Sequence, residues 1–389
     1  MHNSQSCRIV CLSNVFDQNY HDVRGEEISR CLGSKRGVLF ESLEKAAGRE
    51  LILLSSPPKA EQRKEGRWLA ATQTKYCNQQ QFFSCNWDIP KLRIPLSWIF
   101  YTQHVLKHTR SGDLVLIDNY EFVYVVAAWF LKIFRRVHFV LDYEDGKHLI
   151  DISWARVLSG LAEFFGRPLI KAAMLAHPAL GRRLPPRVPT VLIPGFIRGV
   201  ATPKSLPSSD ALNFLYSGSL DRTRGVNLLL EALPLLPESG WHLHISGRGE
   251  LEKEVDTAQK RWPGKITFHG SLSDAAYAEL LTTCHVGLNC QRDSDPISGV
   301  TFPSKIFTYL SAGMLVVSSR ASEVPAICGK ACVYYDAETA TSLAQAIIRA
   351  LDGYTELSQD ILRQEAVEKY SITGTVQRLR EWLGAAQLS

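Results

Sequence analysis

The sequence predicts an α/β protein made of two Rossmann-like, doubly wound domains. Its 389 residues exceed what one hydrophobic core usually supports, so two domains are expected. Short β-rich apolar runs alternate with helical patterns from end to end, which is typical of parallel sheets with crossover helices. Between the two halves, residues 200–210 contain two prolines and three serines, a composition typical of a linker.

The first half of the chain alternates strand and helix signals. Apolar stripes with helical spacing lie at Lys35–Ala47 and Leu158–Ala172. The polar segment from Lys59 to Pro95 is weakly periodic, so we expect it to leave the sheet as a long excursion. The apolar run from Phe122 to Phe134 is shorter than the roughly 20 residues of a membrane span and is predicted to be a core helix. The predicted strands are Arg8–Leu12, Glu50–Leu54, Leu114–Ile117, Val137–Leu141, Met174–His177 and Val191–Ile193.

The second half repeats this alternation after the linker, where we place the hinge between the domains. The tail from Asp360 to Leu383 is predicted to be helical, with a break near Ser371 to Gly374, because glycine suits such a break. The predicted strands are Asn213–Tyr216, Trp241–Ser246, Ile266–His269, Val286–Leu288, Leu315–Ser318 and Ala331–Tyr335.

The composition is that of an ordinary soluble enzyme. Hydrophobic residues make up 45% and charged residues 21%, which excludes the disordered and membrane-spanning classes. A net charge of +5 is too small for a dedicated nucleic-acid binder but compatible with anionic small molecules. The polar start lacks the pattern of a secretory signal, so we expect a cytoplasmic protein. The nine cysteines are scattered, and we expect buried, reduced thiols.

The most informative segment is a loop and helix around Pro303. Proline is favoured in the first turn of a helix and glycine just after its end, so Pro303 and Gly313 bound a predicted helix that begins around Ser304. The free amides of the helix start, the positive end of its dipole and the ammonium group of Lys305 together predict a binding site for a diphosphate.

Two further loops follow predicted strands and open predicted helices. One contains Gly218, Arg222 and Arg224, and arginine suits phosphate because its planar guanidinium donates two parallel hydrogen bonds. The other is the run from Ser246 to Gly249. Loops at the carboxyl ends of neighbouring parallel strands face one crevice, which is where open α/β sheets bind ligands. The alternative is that all three loops are ordinary tight turns.

With these loops the sequence resembles the GT-B glycosyltransferases of the large retaining, metal-independent group 1-like type, which use nucleotide-diphosphate sugars. The resemblance is close from Asn213 to Tyr335 and extends to the tail. It implies a GT-B fold, in which two Rossmann-like, doubly wound domains face a central cleft. The implied domains are an acceptor-binding domain of residues 1–200, joined by a C-terminal helix of residues 366–389, and a donor-binding domain of residues 201–365.

The match to the family pattern also contains departures. Arg224 stands where the family usually has lysine, and Ser219 stands where it has a basic residue. Val300 and Thr308 replace the two glutamates of a Glu-x7-Glu signature, so donor binding must differ in detail from that of the family. The predicted donor-binding residues are Gly218, Ser219, Arg222, Arg224, Gly247, Arg248, Gly299, Val300, Thr301, Ser304, Lys305 and Thr308.

The first half resembles an acceptor-binding domain only loosely. The candidate catalytic residues are His21 and Asp22, after the first strand, and Asp142 and Asp145, in an acidic motif that some family members carry. Carboxylates beside a cleft orient an acceptor hydroxyl or accept its proton. Asp118, also just past a strand, is a further candidate. The alternatives are a solvated acidic loop and, for His21, a surface or capping role.

The predicted function is transfer of a sugar from a nucleotide-diphosphate sugar to a hydroxyl acceptor, in polysaccharide or glycoconjugate biosynthesis. The resemblance implies retention of the anomeric configuration. We expect no metal and no cofactor, because Arg224, Lys305 and the helix amides supply the positive charge that the leaving diphosphate requires. The alternative is a metal site at Asp293 and Asp295, which form an Asp-x-Asp pair.

Rival functions remain open at this point. The loss of both glutamates favours a catalytically weak nucleotide-sugar-binding partner subunit, and a nucleotide-sugar epimerase of the same fold is a further alternative. A dehydrogenase is disfavoured because no Gly-x-Gly-x-x-Gly follows the first predicted strand.

The acceptor is predicted to be lipid-linked or otherwise close to a membrane. The segment from Lys91 to Arg136 combines aromatic residues with lysines and arginines, which together suit peripheral contact with the inner face of a membrane. The alternative is a sugar or small-molecule acceptor, with Trp98 and Trp129 in the core. The residues behind the expectation are Trp98, Phe100, Tyr101, Trp129, Lys107, Arg110, Lys132, Arg135 and Arg136.

Overall fold

The computed structural model describes residues 7–15, 33–57, 68–89, 91–144, 154–199, 202, 204–205, 211–362 and 364–388. The chain divides into two compact units, each with its own β-sheet. The first unit comprises Met1–Ile193 with Thr375–Ser389, and the second comprises Pro194–Gly374. No helix within the described ranges is both long enough and apolar enough to cross a bilayer.

The described part of the first unit contains ten strands: β1 (Ile9–Leu12), β2 (Leu51–Ser55), β3 (Trp68–Leu69), β4 (Thr72–Tyr76), β5 (Gln79–Phe83), β6 (Asn86–Trp87), β7 (Leu114–Asp118), β8 (His138–Tyr143), β9 (Ile170–Leu175) and β10 (Thr190–Leu192). Eight of them form one sheet in the order β10-β9-β8-β7-β1-β2-β5-β4, while β3 pairs with β6. Neighbours in this sheet are parallel, except that β4 is antiparallel to β5. The central strands β1, β2 and β7 are buried throughout because they are apolar on both faces.

The helices of the first unit connect these strands. They are α1 (Gly33–Ala47), α2 (Arg93–His108), α3 (Phe122–Phe134), α4 (Trp154–Gly166) and the single turn α5 (Pro178–Gly181). The predicted core helix from Phe122 to Phe134 is confirmed as α3, although only one of its faces is buried.

The polar excursion expected from Lys59 to Pro95 is partly wrong, because β4 and β5 belong to the sheet. Both strands alternate between buried and more exposed side chains, as strands with one solvated face do. Hydrogen bonds hold the buried polar residues: the side-chain amide of Gln81 donates to the carbonyl oxygen of Val15 over 2.8 Å and to Ser55 Oγ over 2.9 Å. Satisfied polar groups therefore replace the apolar pattern that usually marks a strand.

The helix predicted over Leu158–Ala172 and the strand predicted over Met174–His177 also need correction. Helix α4 ends at Gly166, and Pro168 lies in a short 3-10 turn before β9 begins at Ile170. His177 lies beyond β9 and caps α5, since its Nδ1 accepts a hydrogen bond from the backbone of Ala179 over 3.2 Å. Proline cannot donate the backbone hydrogen bond that would continue the helix, which explains why α4 ends before Pro168.

The second unit contains six strands: β11 (Leu212–Ser217), β12 (Trp241–Ser246), β13 (Ile266–Phe268), β14 (Val286–Asn289), β15 (Leu315–Ser318) and β16 (Val333–Tyr334). They form an entirely parallel sheet in the order β13-β12-β11-β14-β15-β16. The helices are α6 (Val226–Ala232), α7 (Glu252–Arg261), α8 (Asp274–Thr283), α9 (Lys305–Ser311), α10 (Val324–Cys328), α11 (Ala340–Asp352), α12 (Tyr354–Leu362) and α13 (Glu365–Lys369). The predicted alternation of strand and helix holds in this unit.

The last helix, α14 (Ile372–Ala385), begins in the second unit and continues in the first. The predicted break in the tail lies between α13 and α14, where Ser371 Oγ accepts a hydrogen bond from the backbone of Gly374 over 3.0 Å. Within the first unit, Trp382 Nε1 donates to the carbonyl oxygen of Pro189 over 3.1 Å, and Arg378 donates to that of Leu192 over 2.7 Å. These bonds fasten α14 beside β10.

Candidate functional site

The order of the second sheet reverses between β11 and β14, because the chain adds strands on one side through β13 and on the other side from β14 onward. The carboxyl ends of these two strands meet at a topological switch point, which is where open α/β sheets bind ligands. The loops after Ser217 and Asn289 therefore border the candidate site.

The loop after β11 depends on two glycines. Gly218 has φ of +133°, and its backbone donates to the carbonyl oxygen of Ser246 over 3.0 Å. Gly225 has φ of +72°, and a Cβ at this position would overlap the carbonyl oxygen of Cys290, next to the end of β14. Only glycine allows so close an approach of the two chain segments at positive φ.

The turn after β12 packs directly against this loop. Gly247 has φ of +147°, and a Cβ there would overlap the carbonyl oxygen of Gly218. The carbonyl oxygen of Arg248 accepts a hydrogen bond from the backbone of Leu220 over 2.8 Å, while the Arg248 side chain is exposed. The structure thus brings together two of the three loops that the sequence singles out.

Lys305, the first residue of α9, lies beside the loop that follows β11. Its ammonium nitrogen lies 4.2 Å from the centroid of the Tyr216 ring and 3.4 Å from the point that a Cβ of Gly218 would occupy. Burial lowers the pKa of Lys305 to about 8; Cys290 opposes this shift, and the positive charge of Arg224 adds to it. Among the described residues, no acidic group therefore balances the positive charge of this buried lysine.

Arg224 is held by a chain of neutral polar groups. Its guanidinium donates to Gln291 Oε1 over 2.6 Å. The amide nitrogen of the buried Gln291 in turn donates to Ser298 Oγ over 2.9 Å and to Ser322 Oγ over 2.6 Å. Sequence reasoning missed Gln291, since a single amide shortly after a strand carries no pattern that marks it.

Within the part of the chain that the structure describes, no carboxylate forms an ion pair with Lys305 or Arg224. Arg224 is bound by a neutral amide, and Lys305 lies over an aromatic ring. Two cations fixed at a switch point without a counter-charge form an attractive site for an anion, and a diphosphate offers the oxygen atoms that such donors bind.

The other predicted donor residues lie around this centre without a direct bond to Lys305 or Arg224. The carbonyl oxygen of Ser219 accepts from Tyr216 Oη over 2.8 Å, and the backbone of Arg222 donates to Glu250 over 3.1 Å. Four of the remaining five lie in the segment that leads into α9: Gly299 and Ser304 are exposed, and Val300 and Thr301 are half-buried. Thr308 lies within α9 and is also half-buried.

The Asp293–Asp295 pair lies in a loop that Glu338 binds. The Glu338 carboxylate accepts hydrogen bonds from the backbone of Asp293 and Ser294, the latter over 2.9 Å, and pairs with Arg292 over 3.3 Å. Partial burial raises the pKa of Glu338, but these hydrogen bonds outweigh it and lower the pKa below its usual value. The carboxylate of Glu338 therefore orders the loop that carries the two aspartates.

The first unit has its own switch point, between β1 and β7, and a charged cluster lies there. Ser13 Oγ donates to one oxygen of Asp118 over 2.7 Å, and Arg36 donates to the other oxygen over 2.7 Å. Asp142 is the neighbour of Asp118 in the β7–β8 register and lies 4.0 Å from the Arg36 guanidinium. Arg36 therefore sits between two carboxylates, a role that the sequence did not reveal.

Asp142 is more deeply buried than its assignment as a candidate catalytic residue anticipates. Its side chain is 5% exposed, and its Oδ2 atom has no hydrogen-bond partner among the described residues. Burial, followed by the nearby Glu144 carboxylate, raises the pKa of Asp142 well above its usual range, although Arg36 opposes this shift. The other candidates, His21, Asp22 and Asp145, lie outside the described residues.

Residues 211–353 match the family described as Glycosyl transferases group 1, a segment that contains both glycine turns and Lys305. HepE from Anabaena, in complex with UDP and glucose, matches with a TM-score of 0.67 at 14% identity over 98% of this chain and 100% of that chain. The chain has the GT-B fold. Its second unit is similar to group 1 glycosyltransferases.

Two further GT-B structures extend over the whole chain. The catalytic domain of starch synthase IV from Arabidopsis thaliana, bound to ADP and acarbose, matches with a TM-score of 0.66 at 8% identity over 98% of this chain and 99% of that one. Sucrose-phosphate synthase from Thermosynechococcus elongatus matches with a TM-score of 0.61 at 13% identity over 98% and 97% of the two chains. At such identities the likeness shows the fold alone. A search of curated proteins found no match.

Proposed function

We propose that this GT-B protein is a cytoplasmic glycosyltransferase of polysaccharide or glycoconjugate biosynthesis, and that it transfers a hexose from a nucleotide-diphosphate sugar to a hydroxyl acceptor. The observation that carries the proposal is the pair of uncompensated cations, Lys305 and Arg224, beside the glycine turns at the switch point of the second sheet. The match of residues 211–353 to group 1 glycosyltransferases supports it. The nucleoside diphosphates named for HepE and starch synthase IV indicate the same class of ligand.

In the proposed reaction, the bond between the anomeric carbon and the diphosphate oxygen breaks while the acceptor oxygen forms a bond to that carbon, and the proton of the acceptor hydroxyl passes to the departing diphosphate. The departing diphosphate gains negative charge as the sugar becomes oxocarbenium-like. Lys305 and Arg224 stabilise that charge electrostatically, because both are already fixed by the fold before the reaction begins. We propose that this stabilisation replaces a divalent metal, and that the configuration at the anomeric carbon is retained.

The acceptor is proposed to be a sugar, a lipid-linked molecule or another small molecule that carries a hydroxyl group. The hydrogen bonds and ion pair that Arg36 makes with Ser13, Asp118 and Asp142 give this cluster a structural role at the switch point of the first sheet. The fixed carboxylates would then position neighbouring groups of the acceptor site instead of taking its proton directly.

The test is a binding and turnover experiment on the full chain. Calorimetry with UDP, ADP, GDP and inorganic diphosphate measures affinity, and release of nucleoside diphosphate from the corresponding nucleotide sugars measures turnover. Lys305→Ala and Arg224→Gln are expected to weaken binding of the preferred nucleoside diphosphate at least tenfold, whereas Lys330→Ala, an exposed lysine of the same unit, leaves it unchanged. Equal affinities in all three variants would remove the basis for the donor site.

A second candidate function is a nucleotide-sugar-binding partner subunit of low activity. It is favoured by Val300 and Thr308, which offer no carboxylate at the positions where the family resemblance expects glutamates. Tight binding of a nucleotide sugar without hydrolysis or transfer, in the presence of excess acceptor sugars, would support this candidate. Turnover that persists in excess chelator would support the metal-independent transferase.

A further inference from the structure

Helix α3 of the first unit leaves a large apolar face uncovered. Trp129, Phe130, Ile133 and Phe134 recur every three or four residues and are all exposed, with Ile133 at 69% of its full exposure. The opposite side of the helix is buried against the unit through Tyr124, Val125, Ala127, Ala128 and Leu131. A helix that is apolar all round is normally covered on every side, so we expect another molecule to cover the exposed face of α3.

Helix α4 carries a second apolar face of the same kind. Val157, Leu158, Leu161, Phe164 and Phe165 are exposed at helical spacing, with Phe164 at 68%. Its one described acidic residue, Glu163, is 2% exposed and points inward, where it binds two arginines. The exposed side chains that the structure describes in α4, from Val157 to Phe165, are therefore all apolar.

A hydrogen bond joins the two helices along their exposed sides. Trp129 Nε1 in α3 donates to the carbonyl oxygen of Phe165 in α4 over 3.0 Å. The two apolar faces therefore adjoin and form one surface, which we call the α3–α4 face. Its five aromatic rings alone, each about half exposed, present on the order of 500 Å². With the four aliphatic side chains the α3–α4 face exceeds the roughly 300–600 Å² of the largest patch on a typical monomer.

The described charges that border the α3–α4 face are positive. Lys132, Arg135 and Arg136, at the end of α3, are exposed. Arg135 donates only to backbone carbonyl oxygens, and within the described ranges none of the three cations has a carboxylate partner. The exposed acid Glu121 lies at the opposite end of α3. An occupant of the α3–α4 face thus meets apolar side chains beside three unpaired positive charges.

We propose that the α3–α4 face binds the surface of an anionic lipid bilayer. Acyl chains cover the aromatic and aliphatic side chains, and phosphate headgroups supply the negative charge that no described residue gives to Lys132, Arg135 and Arg136. A second copy of the chain would bring a second set of these cations to the contact and no exposed carboxylate from the body of either helix. Tyr101, named from the sequence for such a contact, is fully buried and takes no part. The proposal does not depend on transferase activity.

The experiment is co-sedimentation of the full chain with vesicles of phosphatidylcholine alone and of phosphatidylcholine mixed with phosphatidylglycerol. Binding is expected to the anionic vesicles, and high salt should weaken it. Each of Lys132→Gln, Arg135→Gln and Arg136→Gln should lower the partition coefficient about fivefold. The double variant Ile133→Asp with Phe164→Asp should abolish binding. Leu235→Asp, which alters a residue of the second unit that is 48% exposed, is the matched control and should bind as the natural chain does.

Two further measurements test whether the double variant is folded and whether Trp129 contacts the lipid. Because both aspartate substitutions lie at exposed positions, the thermal unfolding midpoint of the double variant should match that of the control, so that lost binding does not reflect lost structure. Brominated lipids should quench fluorescence in the natural chain and do so less in Trp129→Phe. The proposal is overturned if the chain fails to bind anionic vesicles at low salt, or if light scattering shows a dimer that Ile133→Asp dissociates.

Discussion

The Arg224 guanidinium and the Gln291 side-chain oxygen lie 2.6 Å apart across the switch point of the second sheet. Arg224 belongs to the loop that follows β11, and Gln291 follows β14. Gln291 is fixed in turn by Ser298 and Ser322, so the position of the arginine is set before any ligand arrives. A preorganised cation loses less conformational entropy on binding than a mobile one.

This relationship predicts a graded effect on affinity for a nucleoside diphosphate. Arg224→Gln removes a charge-assisted contact worth about 1.5–3 kcal/mol, so affinity should fall about tenfold to a hundredfold. Gln291→Leu keeps the charge and removes its orienting acceptor, and it should cost about 1 kcal/mol, or roughly fivefold. Calorimetry at constant ionic strength measures both. If Gln291→Leu binds as tightly as the natural chain, Gln291 does not position Arg224.

The lowered pKa of Lys305 should make the affinity for a diphosphate depend on pH. Burial lowers the pKa of its ammonium group to about 8 in the free protein. A bound diphosphate favours the charged form, so affinity is full below that pKa and falls as pH rises through it. The ligand does not confound the measurement, because the last proton of a phosphate group leaves near pH 6.

The pH profile has a matched control. Titration calorimetry from about pH 7 to 9.5 should show the affinity of the natural chain falling above about pH 8 with a slope that approaches tenfold per pH unit, the largest slope that one proton allows. Lys305→Arg keeps its charge over this range and should give a nearly flat profile. A slope of the same size in Lys305→Arg would assign the titration to another group.

A pair of glycines predicts how close packing at the site affects stability. Gly225 and Gly264 have similar φ values of +72° and +77°. A Cβ at Gly225 would overlap the carbonyl oxygen of Cys290, whereas one at Gly264 meets no atom within 4 Å. Gly264→Ala should therefore cost about 1–2 kcal/mol from backbone strain alone. Gly225→Ala should lose about 1–3 kcal/mol more, because the loop must move away from Cys290.

The free energy of unfolding of the second unit, followed by hydrogen exchange in β11 and β12, measures this difference. Equal losses in the two alanine variants would mean that the contact between Gly225 and Cys290 is not tight. Diphosphate affinity gives a second measure: it should fall in Gly225→Ala, where Arg224 is displaced, and stay constant in Gly264→Ala, which lies away from the site.

The sequence predicted the second unit well because its buried strands are short apolar runs between glycine-rich loops. Gly218, Gly247 and Lys305 could be placed at one edge of a parallel sheet from the chain order alone. Gln291 was missed because a single amide after a strand has no pattern, and its importance depends on the three partners that tertiary folding brings to it.

In the first unit the sequence was less informative for a physical reason. Strand β5 contains three glutamines, and the buried Gln81 depends on hydrogen bonds to distant residues that no local pattern shows. Asp142 looked accessible because it follows an apolar strand, but Arg36, from a helix far away in the sequence, lies between it and Asp118. Long-range pairing of charges is invisible to periodicity and decides both the burial and the ionisation of such groups.

The charged cluster of the first unit predicts a loss of stability that depends on pH. Arg36→Met leaves Asp118 and Asp142 without their cation, and removing one partner of a buried ion pair costs about 3–5 kcal/mol. Arg36 lowers the pKa of Asp142, so without it that pKa rises further above the usual value. An acid with a raised pKa in the folded state favours folding when protonated, so the loss should be largest near neutral pH and shrink as pH falls toward 5.

Hydrogen exchange of the β7 and β8 amides measures the free energy of unfolding of the first unit. It is compared at pH 7 and pH 5 between the natural chain and Arg36→Met. Lys260→Met is the control for removing a cation from an exposed pair, since Lys260 and Asp256 keep 74% and 46% of their side-chain exposure. That substitution should change stability by less than about 1 kcal/mol at either pH. A loss in Arg36→Met that is the same at both pH values would show that the arginine acts through packing and not by compensating the carboxylates, because packing does not depend on the protonation of Asp142.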